Sequence, residues 1–83
     1  MDSKQWCVYL LRCSDNSFYC GVTNNIDRRV SEHNSGKRGA KYTRSRRPVS
    51  LIGFQKVSSR SEAQSLEFKI KKMKKFEKLS FFS

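Results

Sequence analysis

The sequence has few residues that break, stiffen or cross-link a chain, with one proline, four glycines and three cysteines in 83 residues. Long apolar runs are also missing. The longest, Cys7 to Leu11, is far shorter than the roughly 20 residues of a membrane-spanning helix, and it is too short for the apolar part of a secretion signal. We therefore expect a cytoplasmic protein without a membrane partner.

The cysteines Cys7, Cys13 and Cys20 favour the same compartment. They show no C-x-x-C spacing, and three cysteines cannot all pair within one chain. Each lies in an apolar stretch, where an unpaired cysteine packs as a small hydrophobic residue. We expect buried thiols in a reducing cytoplasm.

Acidic residues are scarce. Seven Asp and Glu face eighteen Lys and Arg, which gives a formal net charge of +11 and a pI near 10.1. Such a charge attracts polyanions, so nucleic acid is the leading partner and an anionic membrane surface the weaker alternative. The length allows a single domain over 1–83, with a core at about 6–76.

The apolar pattern predicts three strands. Residues 6–13 and 18–22 are rich in aromatic and β-branched side chains and flank a polar turn, as in a β-hairpin. A third strand is predicted at 49–57, where Gly53 marks a bulge or a close approach. We expect these strands to form one small, mostly antiparallel sheet.

Capping residues place the helices. Asn25 and its neighbours offer N-cap side chains for a helix at about 25–34. Ser59 and Glu62 form a capping box, and the helix they open should reach Lys75 or slightly beyond, with Phe76 on its apolar face. Residues 35–48 lack periodicity and are expected to be a structureless basic loop. The order β-β-α-β-α predicts an α+β fold with helices flanking the sheet.

Helical geometry distinguishes two adjacent arginines in the first helix. At 100° per residue, Arg29 and His33 fall at the margin of the face that carries Ile26 and Val30, whereas Arg28 falls on the opposite side. In the last helix, Glu67 borders the apolar face in the same way. A carboxylate there is partly desolvated and can hold a metal ion, but the spacing alone favours the alternative, a simple ion pair with Lys71 one turn later.

Five positions in this order resemble the GIY-YIG nuclease family. Tyr9 lies in V-Y-L, Tyr19 opens Y-C-G, Arg29 and His33 lie in R-R-V-x-x-H, and Glu67 lies in S-L-E-F-K-I-K. The resemblance spans roughly residues 6 to 76 and is greatest to small single-domain bacterial members. It implies a three-stranded antiparallel sheet that carries both tyrosine motifs on adjacent strands.

The tripeptide motifs depart from the family pattern at three positions. Val8 replaces the first glycine, Leu10 follows Tyr9, and Cys20 replaces the middle residue of the second tripeptide. These positions shape the strands, so the substitutions weaken the resemblance more than the chemistry that it implies. Gly21, which permits a close approach to the backbone, is retained.

The resemblance implies a metal-dependent phosphodiesterase whose five side chains converge in one positively charged hollow. Glu67 is implied as the ligand of Mg²⁺ or Mn²⁺, and Arg29 as the group that neutralises the phosphoryl oxygens. One tyrosine, Tyr9 or Tyr19, would take the proton of the attacking water. His33 would position the reacting groups or relay the proton. Which tyrosine acts as the base is left open.

The basic loop predicts a nucleic-acid track. Its cationic residues are accompanied by an aromatic side chain suited to stacking on a base, and the residues we expect to bind nucleic acid are Lys37, Arg38, Lys41, Tyr42, Arg44, Arg46 and Arg47. DNA is expected in preference to RNA. Selection should depend on DNA shape or on a protein partner, because no second domain is available to read bases.

The sequence is consistent with three different functions. The first is a structure-selective DNA endonuclease of repair or recombination. The second is a catalytically inactive DNA- or RNA-binding module of the same fold. The third and weakest treats residues 60–79 as a basic amphipathic helix for an anionic membrane or a partner protein.

Overall fold

The computed structural model describes residues 5–36 and 38–82. The elements follow the predicted order with two short helices added, and they are β1 (Cys7–Arg12), β2 (Phe18–Thr23), α1 (Ile26–Asn34), α2 (Lys41–Arg44), β3 (Ser50–Lys56), α3 (Arg60–Lys71) and α4 (Lys75–Phe82). The expected α+β class is confirmed. Among the described residues, no helix is both long and apolar enough to cross a bilayer.

The three strands form one antiparallel sheet in the order β2-β1-β3. β1 is central, and Tyr9 is paired with Gly21 on one side and with Phe54 on the other. Five of the six β1 side chains are buried, because helices or loops cover both faces of this strand. β2 and β3 are the edge strands.

The two faces of the sheet carry separate apolar clusters, since successive side chains of a strand point to opposite sides. Val8 and Leu10 pack with Ala63 and Ile70 of α3 on one face. On the other face Tyr9 and Leu11 pack with Cys13 and Val49, and the partly buried Ile26 and Val30 of α1 cover them. The sheet therefore separates α3 from α1.

Gly53 has both of the properties expected of it. The register between β1 and β3 shifts next to this residue, since Leu10 pairs with Gly53 but Leu11 pairs with Leu51. A side-chain carbon at Gly53 would lie 2.8 Å from the Phe82 carbonyl oxygen, so the glycine also lets α4 approach the sheet.

The helix that Ser59 caps, α3, ends earlier than predicted. α3 stops at Lys71, where tight backbone bonds from Lys72 N to Lys69 O (3.2 Å) and from Met73 N to Ile70 O (2.9 Å) close the last turn. A new helix then begins, and the Glu77 carboxylate accepts from the Lys74 amide at 2.8 Å. Phe76, predicted on the apolar face, is 76% exposed.

The described part of the segment predicted as a structureless loop, 35–36 and 38–48, has a defined structure instead. It contains α2, and both Gly39 and Thr43 within it are buried. Arg47 holds the segment against the end of α1, because its guanidinium donates to the His33 and Gly36 carbonyls at 2.6 and 2.8 Å. These contacts join residues 11 to 14 positions apart, so hydrophobic periodicity does not reveal them.

The three cysteines are buried and unpaired, as expected.

Candidate active site

Tyr9 lies at the middle of the central strand, and only 1% of its surface is exposed. Its ring covers Gly21, the glycine of the second tripeptide on the neighbouring strand. A side-chain carbon at Gly21 would lie 2.5 Å from the Tyr9 hydroxyl oxygen. The glycine therefore makes room for the tyrosine of the first motif. This is a steric reason for a glycine at the position directly opposite Tyr9.

His33 lies against Tyr9 on the last turn of α1 and is fully buried. Asn25 caps the start of this helix by accepting from the Arg28 amide at 3.1 Å, which fixes the turn that leads to His33. The Tyr9 hydroxyl and His33 Nε2 are 2.8 Å apart. On the other side of the ring, His33 Nδ1 lies 2.8 Å from Thr43 Oγ1.

Both groups of the Tyr9–His33 pair are held in their neutral forms. Burial lowers the pKa of His33 to about 4, and the positive charge of Arg29 acts in the same direction. Burial also raises the pKa of Tyr9, against the lowering effect of the nearby positive charge of Arg29. At neutral pH the pair is therefore an uncharged phenol bonded to an uncharged imidazole.

The low pKa of His33 predicts a specific acid instability. The folded pKa lies below the ordinary value of 6.5, so stability from neutral His33 is complete above pH 6.5 and falls as the pH drops towards 4. We expect the free energy of unfolding to decrease by about 2 to 3 kcal/mol over this window. Urea unfolding at several pH values measures it. The slope between pH 6.5 and 5 should disappear in His33→Gln, and a slope that persists there would contradict the assignment.

A second tyrosine and a third extend this pair into an aromatic group. The Tyr19 ring lies 6.4 Å from the Tyr9 ring and 5.2 Å from the His33 ring, between ring centroids. Tyr42 of α2 stacks on Tyr19 at 5.9 Å and is 39% exposed. Tyr19 is only partly buried, so the group runs from a buried end at Tyr9 to an open end at Tyr42.

Arg29 lies at the margin of this group, as the helical geometry predicted. Its side chain is 26% exposed, against 60% for Arg28. The guanidinium donates to Glu32 at 3.0 Å and to the Arg38 carbonyl at 2.8 Å. The hydrogen bond from Arg29 lowers the pKa of Glu32, so an ionised carboxylate orients the arginine.

Glu67 does not join the other four predicted residues on one face of the sheet. It lies on α3, which packs on the Val8 and Leu10 face, whereas Tyr9 and Tyr19 belong to the opposite face. The expected convergence in one hollow is therefore not what the structure shows. The alternative ion pair is present, with Glu67 Oε2 at 3.2 Å from Lys71 Nζ.

Glu67 nevertheless lies close to the strand that carries Tyr19. Burial raises the pKa of the Cys20 thiol to about 11, and the negative charge of Glu67 acts in the same direction. Cys20 follows Tyr19 in β2, which is an edge strand of the sheet. Tyr19 and Glu67 therefore lie near the same edge strand, on opposite faces of the sheet.

The donor set suits a hard divalent cation that keeps most of its water. The described residues contain no group of three or more His, Cys, Asp or Glu side chains arranged to hold a metal. Glu67 offers one carboxylate, 22% exposed. Mg²⁺ is commonly bound by one or two carboxylates together with water and substrate phosphates, so a single glutamate at an open edge fits it.

The residues predicted to bind nucleic acid fall into two groups, one exposed to solvent and one in contact with other parts of the protein. Arg38, Lys41, Tyr42 and Arg44 are exposed, whereas Arg46 and Arg47 are half-buried. Arg46 lies 3.9 Å from the Tyr42 ring centroid and 3.1 Å from Asp15, and Arg47 holds the end of α1. Lys37 lies outside the described residues.

Sequence reasoning missed Thr43 and Asp15. Thr43 is a buried polar residue that contacts His33, and Asp15 in the hairpin turn pairs with Arg46. The Asp15–Arg46 pair joins residues 31 positions apart. Neither residue belongs to a motif or to an apolar stripe, so no signal in the sequence identifies these contacts.

Comparison with known proteins agrees with this geometry. The family model described as the GIY-YIG catalytic domain matches residues 5–80, and the chain belongs to that family. The arrangement of two tyrosine motifs on adjacent antiparallel strands, with a helix carrying Arg29 and His33 against them, is the one that the sequence resemblance implied. Both the family and the fold class are thereby confirmed.

Within the family, the chain is similar to small bacterial UPF0213 proteins. It is 52% identical over 75 residues to one from Nitratidesulfovibrio vulgaris, covering 90% of this chain and 67% of that protein. It is 56% identical over 72 residues to one from Syntrophus aciditrophicus, covering 87% and 83%.

Two solution NMR structures show the same likeness. A UPF0213 protein from Bacillus halodurans gives a TM-score of 0.57 at 39% identity, covering 93% of this chain and 81% of that one. A protein from E. faecalis gives a TM-score of 0.65 at 45% identity, covering 96% and 84%.

Proposed function

We propose that this protein is a metal-dependent endonuclease that hydrolyses phosphodiester bonds in DNA of distorted shape, in repair or recombination in the cytoplasm. The observation that carries the proposal is the buried Tyr9–His33 pair beside the half-buried Arg29, within a GIY-YIG catalytic domain of net charge +11. A protein that only bound nucleic acid through its charge would not need a buried phenol–imidazole pair beside its arginine.

Arg29 is suited to the scissile phosphate. Its guanidinium is held by Glu32 and by the Arg38 carbonyl, and 26% of its side chain still faces solvent. A guanidinium fixed in this way is preorganised to neutralise the charge that develops on the phosphoryl oxygens. Arg28, on the outer side of the same helix, is 60% exposed and reaches Glu32 only at 3.7 Å.

The two tyrosines have different roles in this proposal. The hydroxyl of Tyr9 is buried and hydrogen-bonded to His33. These two residues therefore position the reacting groups. Tyr19 is partly exposed at the sheet edge, where it can hold the attacking water and, as the phenolate, accept its proton. The new bond joins the water oxygen to phosphorus, and the bond to the leaving oxygen breaks.

Glu67 would hold the Mg²⁺ or Mn²⁺ ion at the open edge of β2. When bound, the ion polarises the phosphate and stabilises the leaving oxygen. Glu67 would exchange its partner Lys71 for the cation. An exposed pair of this kind contributes at most about 1 kcal/mol, so the exchange costs little.

The exposed cations near the site would bind the phosphates that flank the cut. Arg38, Lys41 and Arg44 are exposed on the segment that joins α1 to β3, beside the exposed Tyr42 ring. Charged side chains on such a surface contact the backbone of the nucleic acid without reading its bases. Selection by DNA shape, or by a protein partner, follows from this composition.

One observation favours a second candidate, a catalytically inactive DNA-binding module. Glu67 lies across the sheet from the tyrosines and is paired with Lys71. If no cation displaces Lys71, the chain retains its charged surface and fold but lacks a metal site. Binding without cleavage is the property that separates this candidate from the nuclease.

A cleavage panel tests the two candidates. Labelled linear, flapped and four-way branched DNA of equal length are incubated with the full chain in Mg²⁺, in Mn²⁺ and in EDTA. We expect products from flapped or branched DNA with either metal, less from linear DNA and none with EDTA. Binding to the same substrates without product under any metal condition would identify the inactive module.

A further inference from the structure

A continuous chain of hydrogen bonds runs through the buried side of the site. It begins at the Tyr9 hydroxyl, which lies 2.8 Å from His33 Nε2. His33 Nδ1 lies 2.8 Å from Thr43 Oγ1, and the Thr43 hydroxyl donates to the Ala40 carbonyl at 3.0 Å. Tyr9, His33 and Thr43 are each at most 1% exposed, so water does not compete for these bonds.

The Ala40 end of this chain can act in only one way, because a backbone carbonyl only accepts hydrogen bonds. Thr43 therefore donates its hydroxyl proton to Ala40, and its oxygen is free to accept from His33 Nδ1–H. The neutral imidazole then has an unprotonated Nε2, which accepts the proton of Tyr9. The Ala40 carbonyl therefore selects one tautomer of His33.

The reverse direction leaves a buried proton without an acceptor. With His33 protonated on Nε2, the imidazole would donate to the Tyr9 oxygen. The proton of Tyr9 would then have no acceptor, because His33 Nε2 is the one acceptor that it meets among the described residues. An unsatisfied buried donor of this kind costs about 1 to 3 kcal/mol.

We propose that Thr43 is a positioning residue that fixes neutral His33 as the Nδ1–H tautomer and thereby directs the Tyr9 proton to His33 Nε2. The Ala40 carbonyl sets the direction, and Thr43 transmits it to the histidine. Its effect on cleavage rests on the proposed nuclease function, but the tautomer does not.

Nitrogen NMR of the imidazole tests the proposal directly, since His33 is the one histidine in the sequence. The full chain is labelled with ¹⁵N, and proton–nitrogen correlations of the ring are recorded near pH 7. We expect Nδ1 to be protonated and Nε2 to be unprotonated. A wild-type spectrum with the proton on Nε2 would overturn the proposal, whether or not the protein cuts DNA.

Two threonine variants separate positioning from general stability. Thr43→Val removes the acceptor of Nδ1–H at nearly constant volume, and we expect the tautomer ratio to shift towards Nε2–H. Thr43→Ser should restore the wild-type spectrum. Thr23→Val removes another buried hydroxyl, whose hydrogen-bond partner within 5–36 and 38–82 is Asn25, and should leave the ring unchanged. An unchanged ring in Thr43→Val would contradict the proposal.

Cleavage by the same variants gives the second measurement. If the protein is a nuclease, Thr43→Val should lower its rate roughly tenfold, the effect of one lost orienting hydrogen bond, and Thr43→Ser should recover it. If wild type does not cleave, the nuclease proposal fails while the NMR result still decides the role of Thr43. If Thr43→Val does not fold, the wild-type spectrum alone decides.

Discussion

Glu67→Gln is expected to abolish metal-dependent cleavage while DNA binding stays equal or becomes tighter. The amide keeps the shape of the side chain but loses the negative charge that a hard cation requires. Since a bound metal contributes several kcal/mol to phosphoryl transfer, the rate should fall roughly a hundredfold or more. Removing one negative charge from a chain of net charge +11 cannot weaken its attraction to DNA. Single-turnover rates in Mg²⁺ and equilibrium binding in EDTA measure the two effects.

Glu77→Gln is the matched control for this experiment. Glu77 lies on α4, is exposed, and bonds the Lys74 amide, so its substitution makes the same change of charge away from β2. We expect its cleavage to resemble wild type. If Glu67→Gln also cuts at the wild-type rate, Glu67 is not the metal ligand, and its ion pair with Lys71 is its whole role.

The features that were predicted correctly from the sequence are local ones. A helix start depends on a side chain and an amide three residues apart, and both Asn25 and Ser59 cap their helices as expected. The position of Arg29 relative to Arg28 follows from the 3.6-residue period alone. The bulge beside Gly53 follows from the absence of a side chain within a strand.

The features that were missed depend on contacts between distant segments. A helical wheel shows that Glu67 borders the buried side of its helix, but it does not show on which face of the sheet that helix packs. The same limit applies to the described part of 35–48, whose structure depends on contacts of Thr43 with His33 and of Arg47 with the end of α1. The break after Lys71 has no proline or glycine to mark it, so an uninterrupted helix was predicted there.

Arg29→Ala is expected to reduce cleavage about a hundred- to a thousandfold, the range found when one preorganised donor to a developing oxyanion is removed. Arg28→Ala should change the rate only slightly. The two variants lose the same charge from adjacent positions, so they affect long-range attraction to DNA equally. They differ in geometry, because Arg29 donates to Glu32 at 3.0 Å and to the Arg38 carbonyl at 2.8 Å, whereas Arg28 is 60% exposed and reaches Glu32 only at 3.7 Å.

Three measurements on this pair of variants decide what Arg29 does. Binding to a flapped substrate should weaken by a similar, small factor in both, and single-turnover cleavage should separate them. Thermal unfolding shows whether Arg29→Ala loses activity through its fold, since its side chain also ties α1 to Arg38. Arg29→Lys keeps the charge but not the planar fork of donors, so it should recover binding more than cleavage. Equal losses in Arg28→Ala and Arg29→Ala would mean that only net charge matters, and the catalytic role of Arg29 would then be wrong.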